Sequence, residues 1–203
     1  MKLILASASP RRKQLLAQIG LSCLTRAAEI DETPYPAEKP DEYVQRLASD
    51  KAQTVLSSLQ SDSLIEGDVI VLGSDTSVII DGRILGKPKC FDEFSEMMQC
   101  LSGRDHEVIT GVALIKAKRL DSSLEKRVFL VRTRVRFRQL SDQDIQNYWK
   151  SGEPHDKAGG YGIQGLGAMF VSEIQGSYSN VVGLPLTEVA QALSELGFEV
   201  WSV

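Results

Sequence analysis

Apolar residues recur along the chain with two different periods, and the alternation between them predicts a mixed α/β fold. Some segments carry them at every second position or in short runs, as strands do, and others three and four residues apart, as helices do. The predicted strands are Lys2–Ala6, Leu21–Ile30, Val69–Ile80, Arg83–Leu85, His106–Lys116, Arg127–Arg138, Met169–Ile174 and Glu199–Val203. The predicted helices are Arg11–Ile19, Asp41–Leu59, Phe91–Leu101, Ser141–Ser151 and a final helix that ends at Leu196. No internal repeat or long linker interrupts this order, so we expect residues 1–203 to form one domain with a mixed sheet.

The densest apolar run, Val69–Ile80, is broken in its middle by Gly73, Ser74, Asp75 and Thr76. An ionised carboxylate is costly in apolar surroundings unless it is paired, hydrogen-bonded or bound to a cation. Asp75 is therefore either the capped end of a strand or a group with a chemical role. Gly73 favours the chemical role, because a glycine within a strand often marks a bulge or a place where a ligand approaches the backbone.

The segment Ser7-Ala8-Ser9-Pro10-Arg11-Arg12 predicts an anion site. Ser9 is a good N-cap and Pro10 a good first helical residue, so the chain is expected to turn from a strand into a helix here. A helix N-terminus offers free amide donors and a partial positive charge, to which Arg11 and Arg12 add two cations. The alternative is a capped helix with two solvated arginines. A glycine-rich Walker loop is absent from the sequence, so P-loop chemistry is not indicated.

Acidic residues precede a proline-rich break in the first third of the chain. Glu29, Asp31 and Glu32 stand just before Pro34-Tyr35-Pro36. Such residues are often solvated turn residues. They become candidate metal ligands only if the fold brings Asp75 to the same place.

Two glycine-containing segments are candidates for contact with a ligand. Asp81-Gly82 predicts a two-residue hairpin turn, and the returning strand delivers Lys87 between a glycine and a proline, where it could contact phosphate. The run from Lys157 to Gly167 combines many glycines with Tyr161 and Gln164. It predicts a backbone shaped to contact a flat polar ligand, with a flexible linker as the alternative.

Composition and charge weigh against several classes of protein. The net charge of −4 argues against a general nucleic-acid binder. The alternating Arg132, Arg134, Arg136 and Arg138 could bind a polyanion, but we favour a solvated strand face balanced by acidic neighbours. No apolar run reaches the roughly 20 residues that span a bilayer, and the apolar N-terminal stretch is too short for a signal peptide, so we expect a cytoplasmic protein without a membrane partner. The three cysteines are odd in number and widely spaced, which predicts reduced thiols, mostly in the core.

The ordered motifs of the chain resemble those of the Maf family. They are Ser7–Arg12, Asp31-Glu32, Arg46-Leu47-Ala48 with Lys51-Ala52, Gly73–Thr76, Leu85–Pro88, Thr110–Val112, Lys157–Gly165 and Gly176–Pro185. The resemblance covers essentially the whole chain. It implies a nucleoside triphosphate pyrophosphatase, which cleaves between the α- and β-phosphates. It also implies an elongated mixed sheet flanked by helices, with two lobes around a cleft, similar to the inosine triphosphate pyrophosphatase fold.

Within that family the segment Lys157–Gly165 is similar to the branch that acts on dTTP and UTP. The branch that acts on 7-methyl-GTP carries Cys-Ala-Gly and a glutamate where this chain has Lys157 and Gln164. A glutamine amide offers both a donor and an acceptor to uracil or thymine, whereas a carboxylate only accepts and suits a cationic base. The resemblance points to Arg11, Thr76 and Gln164 as specificity positions. The preference among dTTP, UTP, CTP and modified pyrimidine nucleotides stays open.

The resemblance further implies a metal-assisted hydrolysis. Glu32 and Asp75 are expected to hold Mg²⁺ or Mn²⁺ together with the substrate phosphates, and Asp75 to accept the proton of the attacking water. The expected substrate-binding residues are Ser7, Ser9, Arg11, Arg12, Lys51, Lys87 and Lys157. The alternative is a non-catalytic, nucleotide-sensing regulator of cell division, against which the complete set of acidic and basic residues argues. A homodimer is suggested by family habit alone.

Overall fold

The computed structural model describes residues 1–61, 67–118 and 124–200 and shows a mixed α/β fold. Its strands are β1 (Lys2–Leu5), β2 (Leu24–Thr25), β3 (Val69–Ile80), β4 (Arg83–Leu85), β5 (Asp105–Ala117), β6 (Leu124–Phe137) and β7 (Val171–Gln175). Its α-helices are α1 (Pro10–Gln18), α2 (Pro40–Ser61), α3 (Phe91–Leu101), α4 (Asp142–Lys150), α5 (Tyr178–Val182) and α6 (Leu186–Glu195). The strands form one sheet in the order β2-β1-β3-β5-β6-β7, with β4 also paired to β3. Because β1 pairs in parallel with β2 and β3 while β4 and β7 pair antiparallel with their neighbours, the predicted mixed sheet is confirmed.

The predicted strand Leu21–Ile30 is wrong in extent, since only Leu24 and Thr25 pair with β1. Leu24 is 58% exposed, so this edge strand buries little that would extend it. After Arg26 donates its amide to the Leu5 carbonyl, the chain leaves the sheet, and the acidic residues from Glu29 onward lie on a loop rather than at a strand end.

Two predictions near the C-terminus also need correction. The segment Gly176–Asn180, expected to be a turn, contains the start of α5. Glu199 and Val200 are not in a strand, and the rest of the predicted strand Glu199–Val203 lies outside the described residues. By contrast, Ser141 caps α4 as predicted, and its hydroxyl accepts from the Asp144 amide in a capping box.

The chain divides into two compact units. Unit 1 comprises Met1–Asp75, Thr110–Val131 and Gly183–Val203, and unit 2 comprises Thr76–Ile109 and Arg132–Val182. The core of unit 1 is built from β1, the buried side of α2, the first half of β3 and the second half of β5. Each helix in the described ranges is too short or too polar to span a bilayer.

Unit 2 has its own, more aromatic core. Buried aromatic rings pack against one another there, namely Phe94, Phe137, Tyr148, Tyr161 and Phe170. The side chains of β6 alternate there as predicted, with Thr133, Val135 and Phe137 buried and the intervening arginines exposed. Arg132 pairs with Glu107, Arg136 with Asp105 and Arg138 with Asp144, whereas Arg134 donates to the Gln175 side chain.

The cysteines are not core residues, contrary to prediction. Cys90 and Cys100 are exposed and Cys23 is half-buried, because Cys90 precedes α3 and Cys100 lies on its outer side. All three are free thiols.

Candidate active site

The first polar cluster of unit 1 forms where α1 begins. Pro10 opens the helix as predicted, but the Ser9 side chain makes no capping bond, and the Ser9 amide instead donates to Ser7 Oγ at 3.2 Å. Arg12 donates through Nε to the Gly183 carbonyl at 2.9 Å and through Nη1 to Ser7 Oγ at 3.1 Å. The Gly183 carbonyl also accepts from Ser74 Oγ at 3.3 Å. The predicted pair Ser7 and Arg12 is thus brought together and tied to β3.

The second cluster gathers two carboxylates on one ammonium group. Lys51 Nζ on α2 lies 2.7 Å from Asp75 Oδ1 on β3 and 2.6 Å from Glu32 Oε1 on the loop before α2. Asp75 is only 9% exposed and Lys51 8%, whereas half of the Glu32 side chain is exposed. The condition under which Glu32 becomes a candidate metal ligand, a shared location with Asp75, is therefore met.

Close contact between α2 and two strands places Lys51 beside Asp75. A Cβ at Gly73 would clash with the Ala48 carbonyl oxygen and the Ala52 amide, and one at Gly111 would clash with the backbone of Val44. The two glycines let the helix backbone lie directly on β3 and β5. Gly73 thus makes room for a helix rather than for the ligand or bulge that the sequence suggested.

Electrostatic interactions link the two clusters. Burial lowers the pKa of the Arg12 guanidinium, an effect that the nearby Asp75 carboxylate opposes and that Arg11 reinforces. Burial, together with the negative charges of Asp75 and Glu32, raises the pKa of Tyr43 to about 12. The cationic residues Arg11, Arg12 and Lys51 and the anionic residues Glu32 and Asp75 therefore share one electrostatic environment.

The donor set suits a hard divalent cation that arrives with its substrate. In the described ranges no group of three or more His, Cys, Asp or Glu side chains could hold a metal ion by itself. Glu32 and Asp75 supply two carboxylates within a few ångströms of each other, and Mg²⁺ typically takes one or two protein carboxylates, with water and phosphate oxygens completing its shell. The two residues fit that role if Lys51 gives up one or both of its contacts.

The glycine-rich segment lies in unit 2 and is held by a carboxylate. Glu153 Oε1 accepts from the Tyr148 hydroxyl at 2.7 Å and from the Gly167 amide at 3.2 Å, and Oε2 accepts from the Leu166 amide at 2.8 Å. The Tyr148 hydroxyl in turn accepts from the Gly162 amide at 3.1 Å. Gln164 lies between these anchored amides and is exposed, so the segment is a shaped backbone and not a flexible linker.

The predicted lysines of unit 2 lie on neighbouring turns. The Gly159 amide donates to the Gly86 carbonyl at 2.9 Å, which joins the turn of Lys87 to that of Lys157. Lys87 is exposed, while Lys157 Nζ donates to the Glu153 carbonyl at 3.2 Å and pairs with Asp156. Thr76 follows Asp75 directly in β3. The roles of these residues and of Gln164 stay predictions.

Sequence reasoning missed Glu153 and Tyr148. Their contacts depend on short 3₁₀ turns with Gly159 and Gly160 at φ +66° and +72°, for which apolar periodicity gives no signal. Sequence reasoning also gave no role to Arg46, although its three-residue separation from Tyr43 on a predicted helix indicates a shared face.

Comparisons with known proteins agree with the motifs. Residues 2–196 match the family described as Maf-like protein. The chain is 47% identical over 201 residues to a dTTP/UTP pyrophosphatase of Hahella chejuensis, covering 99% of this chain and 95% of the relative. It is 48% identical to a protein of the same name from Pseudoalteromonas atlantica, covering 96% of each, and 46% identical to one from Syntrophus aciditrophicus, covering 97% and 90%.

A solved structure, that of the Staphylococcus aureus Ham1 protein, aligns with 68% of this chain and 72% of its own at 13% identity and a TM-score of 0.36. Because this score is low, the likeness to the inosine triphosphate pyrophosphatase fold stays a prediction.

The match over residues 2–196, together with relatives nearly half identical along almost the full chain, establishes the family. This chain belongs to the Maf-like protein family.

Proposed function

We propose that this protein is a nucleoside triphosphate pyrophosphatase that converts dTTP and UTP into the nucleoside monophosphate and pyrophosphate. The observation that carries the proposal is the meeting of Glu32 and Asp75 at Lys51 in unit 1, with Arg12 in the same electrostatic environment. Relatives named dTTP/UTP pyrophosphatase, 46–48% identical over almost the whole chain, support the substrate class.

In the proposed reaction Asp75 orients a water molecule and accepts its proton as the water oxygen attacks the α-phosphorus. The bond from the α-phosphorus to the bridging oxygen breaks, and pyrophosphate leaves with that oxygen. Asp75 suits the task because it is nearly buried and because Lys51 and the β3 backbone fix its position.

The positive groups of unit 1 would bind the triphosphate and neutralise the leaving pyrophosphate. The Arg12 guanidinium is already oriented by Ser7 and by the Gly183 carbonyl, so little side-chain freedom remains to be lost on binding. Arg11 on the same helical turn adds a planar group that can bind phosphate through two hydrogen bonds. If Glu32 and Asp75 hold a metal ion, Lys51 would lose these two carboxylate partners, and its ammonium group would be available to contact phosphate.

A divalent cation held by Glu32 and Asp75 would withdraw charge from the phosphates. Lys87, Lys157, Thr76 and Gln164 are proposed as further substrate contacts on the family resemblance. On the same ground we propose that the protein is cytoplasmic and forms a homodimer. Analytical ultracentrifugation would test the dimer.

The deciding experiment is a nucleotide panel with and without Mg²⁺. Each reaction is first stopped, and Mg²⁺ and an inorganic pyrophosphatase are then added to every sample before phosphate is measured. The nucleotide product is identified by chromatography. We expect Mg²⁺-dependent formation of dTMP and UMP. Formation of dTDP would contradict cleavage between the α- and β-phosphates, and the absence of phosphate release from every triphosphate would favour the nucleotide-sensing regulator.

A further inference from the structure

The loop that carries Glu32 lacks regular secondary structure, yet one arginine of α2 holds it in place. Arg46 pairs with Glu38 through both ends of its guanidinium, with Nε 2.6 Å from Oε1 and Nη2 2.8 Å from Oε2. The Arg46 and Glu38 side chains are 16% and 6% exposed, although most of the loop is exposed. A shielded bidentate pair fixes both the position and the orientation of its partners.

The same guanidinium contacts the loop at two further points. Arg46 Nη2 donates to the Thr33 carbonyl at 3.2 Å, and its Cζ atom lies 4.0 Å from the centroid of the Tyr35 ring. Glu38 Oε2 also accepts from the Tyr35 amide at 3.0 Å, which closes the loop on itself. One side chain of α2 therefore organises residues 33 to 38.

Tyr43 of the same helix attaches Glu32 itself. It lies one helical turn before Arg46, and its hydroxyl donates to the Glu32 carbonyl at 2.9 Å. The Glu32 backbone is thus held by Tyr43 on one side and, through Thr33, by Arg46 on the other. From this backbone the Glu32 carboxylate reaches Lys51 Nζ.

We infer that Arg46 is a positioning residue for the metal site: it holds the loop at residues 33–38 so that Glu32 is presented beside Asp75. The inference rests on the proposed function, because the benefit of a fixed Glu32 is a carboxylate ready for the metal ion that accompanies the substrate. The alternative is an ion pair that orders the surface loop without affecting the position of the Glu32 carboxylate.

The test combines the substitution Arg46→Lys with two measurements. Lysine keeps the charge but loses the planar, two-point contact with Glu38. In the metal-free protein, hydrogen exchange of the amides of residues 31–38 should become about tenfold faster. The exchange rate follows the population of the open loop, which we expect to rise about tenfold when the pair with Glu38 is lost. In the hydrolysis assay, the Mg²⁺ concentration for half-maximal activity should rise about tenfold while kcat at saturating Mg²⁺ changes less than about threefold, as expected when an outer partner of a metal ligand is altered.

The chain provides a matched control in Arg138→Lys. Arg138 also pairs with a carboxylate through two nitrogens, at 2.9 and 3.0 Å from Asp144, and lies 5.5 Å from the Phe170 ring. This variant should leave both the exchange of residues 31–38 and the Mg²⁺ dependence unchanged. Glu38→Gln is the second test variant, and the effect of the double variant should be smaller than the sum of the two single effects, because both substitutions remove the same Arg46–Glu38 pair.

Two results would overturn the inference. Unchanged exchange in Arg46→Lys would show that Arg46 does not hold the loop, and faster exchange with unchanged Mg²⁺ dependence would show that the loop does not position Glu32. If the wild-type protein hydrolyses no triphosphate, the proposed function fails by itself. Mn²⁺ binding, measured by the electron paramagnetic resonance of the free ion, then replaces the activity readout, and equal affinities of wild type and Arg46→Lys would overturn the inference separately.

Discussion

The Lys51 cluster of unit 1 and the glycine-rich segment of unit 2 hold their polar groups by opposite means. Around Lys51, charged side chains from a loop, a helix and a strand meet and balance one another. In the glycine-rich segment a single carboxylate, Glu153, accepts hydrogen bonds mainly from backbone amides. The first arrangement can change partners when a cation or a phosphate arrives. The second arrangement fixes the shape of the backbone around Gln164, as the proposed contact of Gln164 with the substrate requires.

Among the predicted effects, the largest is the loss of hydrolysis when the charge of Asp75 is removed. Asp75→Asn keeps the size of the side chain but can neither accept the proton nor hold a metal ion well, so we expect hydrolysis of dTTP to fall at least about a hundredfold. Binding of the triphosphate, measured by calorimetry, should persist. The control is Asp81→Asn, which removes an exposed pair with Arg104. Turnover like that of the wild type in Asp75→Asn would exclude Asp75 from the proposed role.

The substitution Lys51→Met tests how far the stability of this cluster depends on a cation between Glu32 and Asp75. Without the ammonium group the Glu32 and Asp75 carboxylates repel each other, and we expect the metal-free protein to lose about 2 kcal/mol in urea unfolding, less than for a fully buried pair because Glu32 is half exposed. Mg²⁺ should restore more stability to this variant than to the wild type.

Lys116→Met provides a comparison for Lys51→Met. Lys116 is a similarly buried lysine, 13% exposed, that donates to the Leu196 carbonyl at 2.7 Å. Its replacement should also destabilise the protein, but without recovery in Mg²⁺. An equal response of both variants to Mg²⁺ would contradict the assignment of Glu32 and Asp75 as metal ligands.

The substitution Glu153→Gln tests the other half of the comparison. Glutamine keeps only one acceptor oxygen, so either the Leu166 amide or the Gly167 amide would face an NH2 donor instead of an acceptor, and the segment around Gln164 should loosen. We expect KM for dTTP to rise about tenfold, the equivalent of about 1.4 kcal/mol of binding, while kcat changes little. Glu173→Gln on exposed β7 is the control. A fall in kcat without a change in KM would place Glu153 with the chemical cluster instead.

The smallest expected effect is a pH dependence of stability in unit 2. Burial lowers the pKa of His106 to about 4 from 6.5, and its Nε2 is paired with the Tyr161 hydroxyl at 2.7 Å. Between those two pH values the unfolded chain binds a proton that the folded protein does not, so stability falls as the pH falls. From about pH 7 to 5.5 the His106 contribution should be a loss of about 1 kcal/mol.

Urea unfolding of His106→Gln and His155→Gln measures this contribution. The loss should disappear in His106→Gln and persist in His155→Gln, because His155 is exposed. An unchanged pH dependence in His106→Gln would show that the buried ring does not control it.

The sequence predicted the parts of the fold that depend on local periodicity. The strand with Asp75, the helix with Lys51 and the Asp81-Gly82 turn are all present, with Asp81 and Gly82 at φ +51° and +74° as the turn requires. The loop of Glu32 and the contacts of Glu153 were not predictable in this way. They are set by hydrogen bonds between residues far apart in the chain or in irregular turns, for which neither helical nor strand spacing applies. Glu32, Lys51 and Asp75, named from the sequence, do lie together in unit 1, and their roles stay predictions. The residues that hold each cluster in position were not predicted.

The contact of α2 with Gly73 and Gly111 has a consequence for the interpretation of natural variants. A single added methyl group at Gly73 would push the helix outward and move Lys51 with it, although no charged group is altered. Such a variant would resemble an active-site lesion in a functional screen and a packing defect in a stability screen. Substitution of either glycine would therefore change the packing of α2 and the position of Lys51 at the same time.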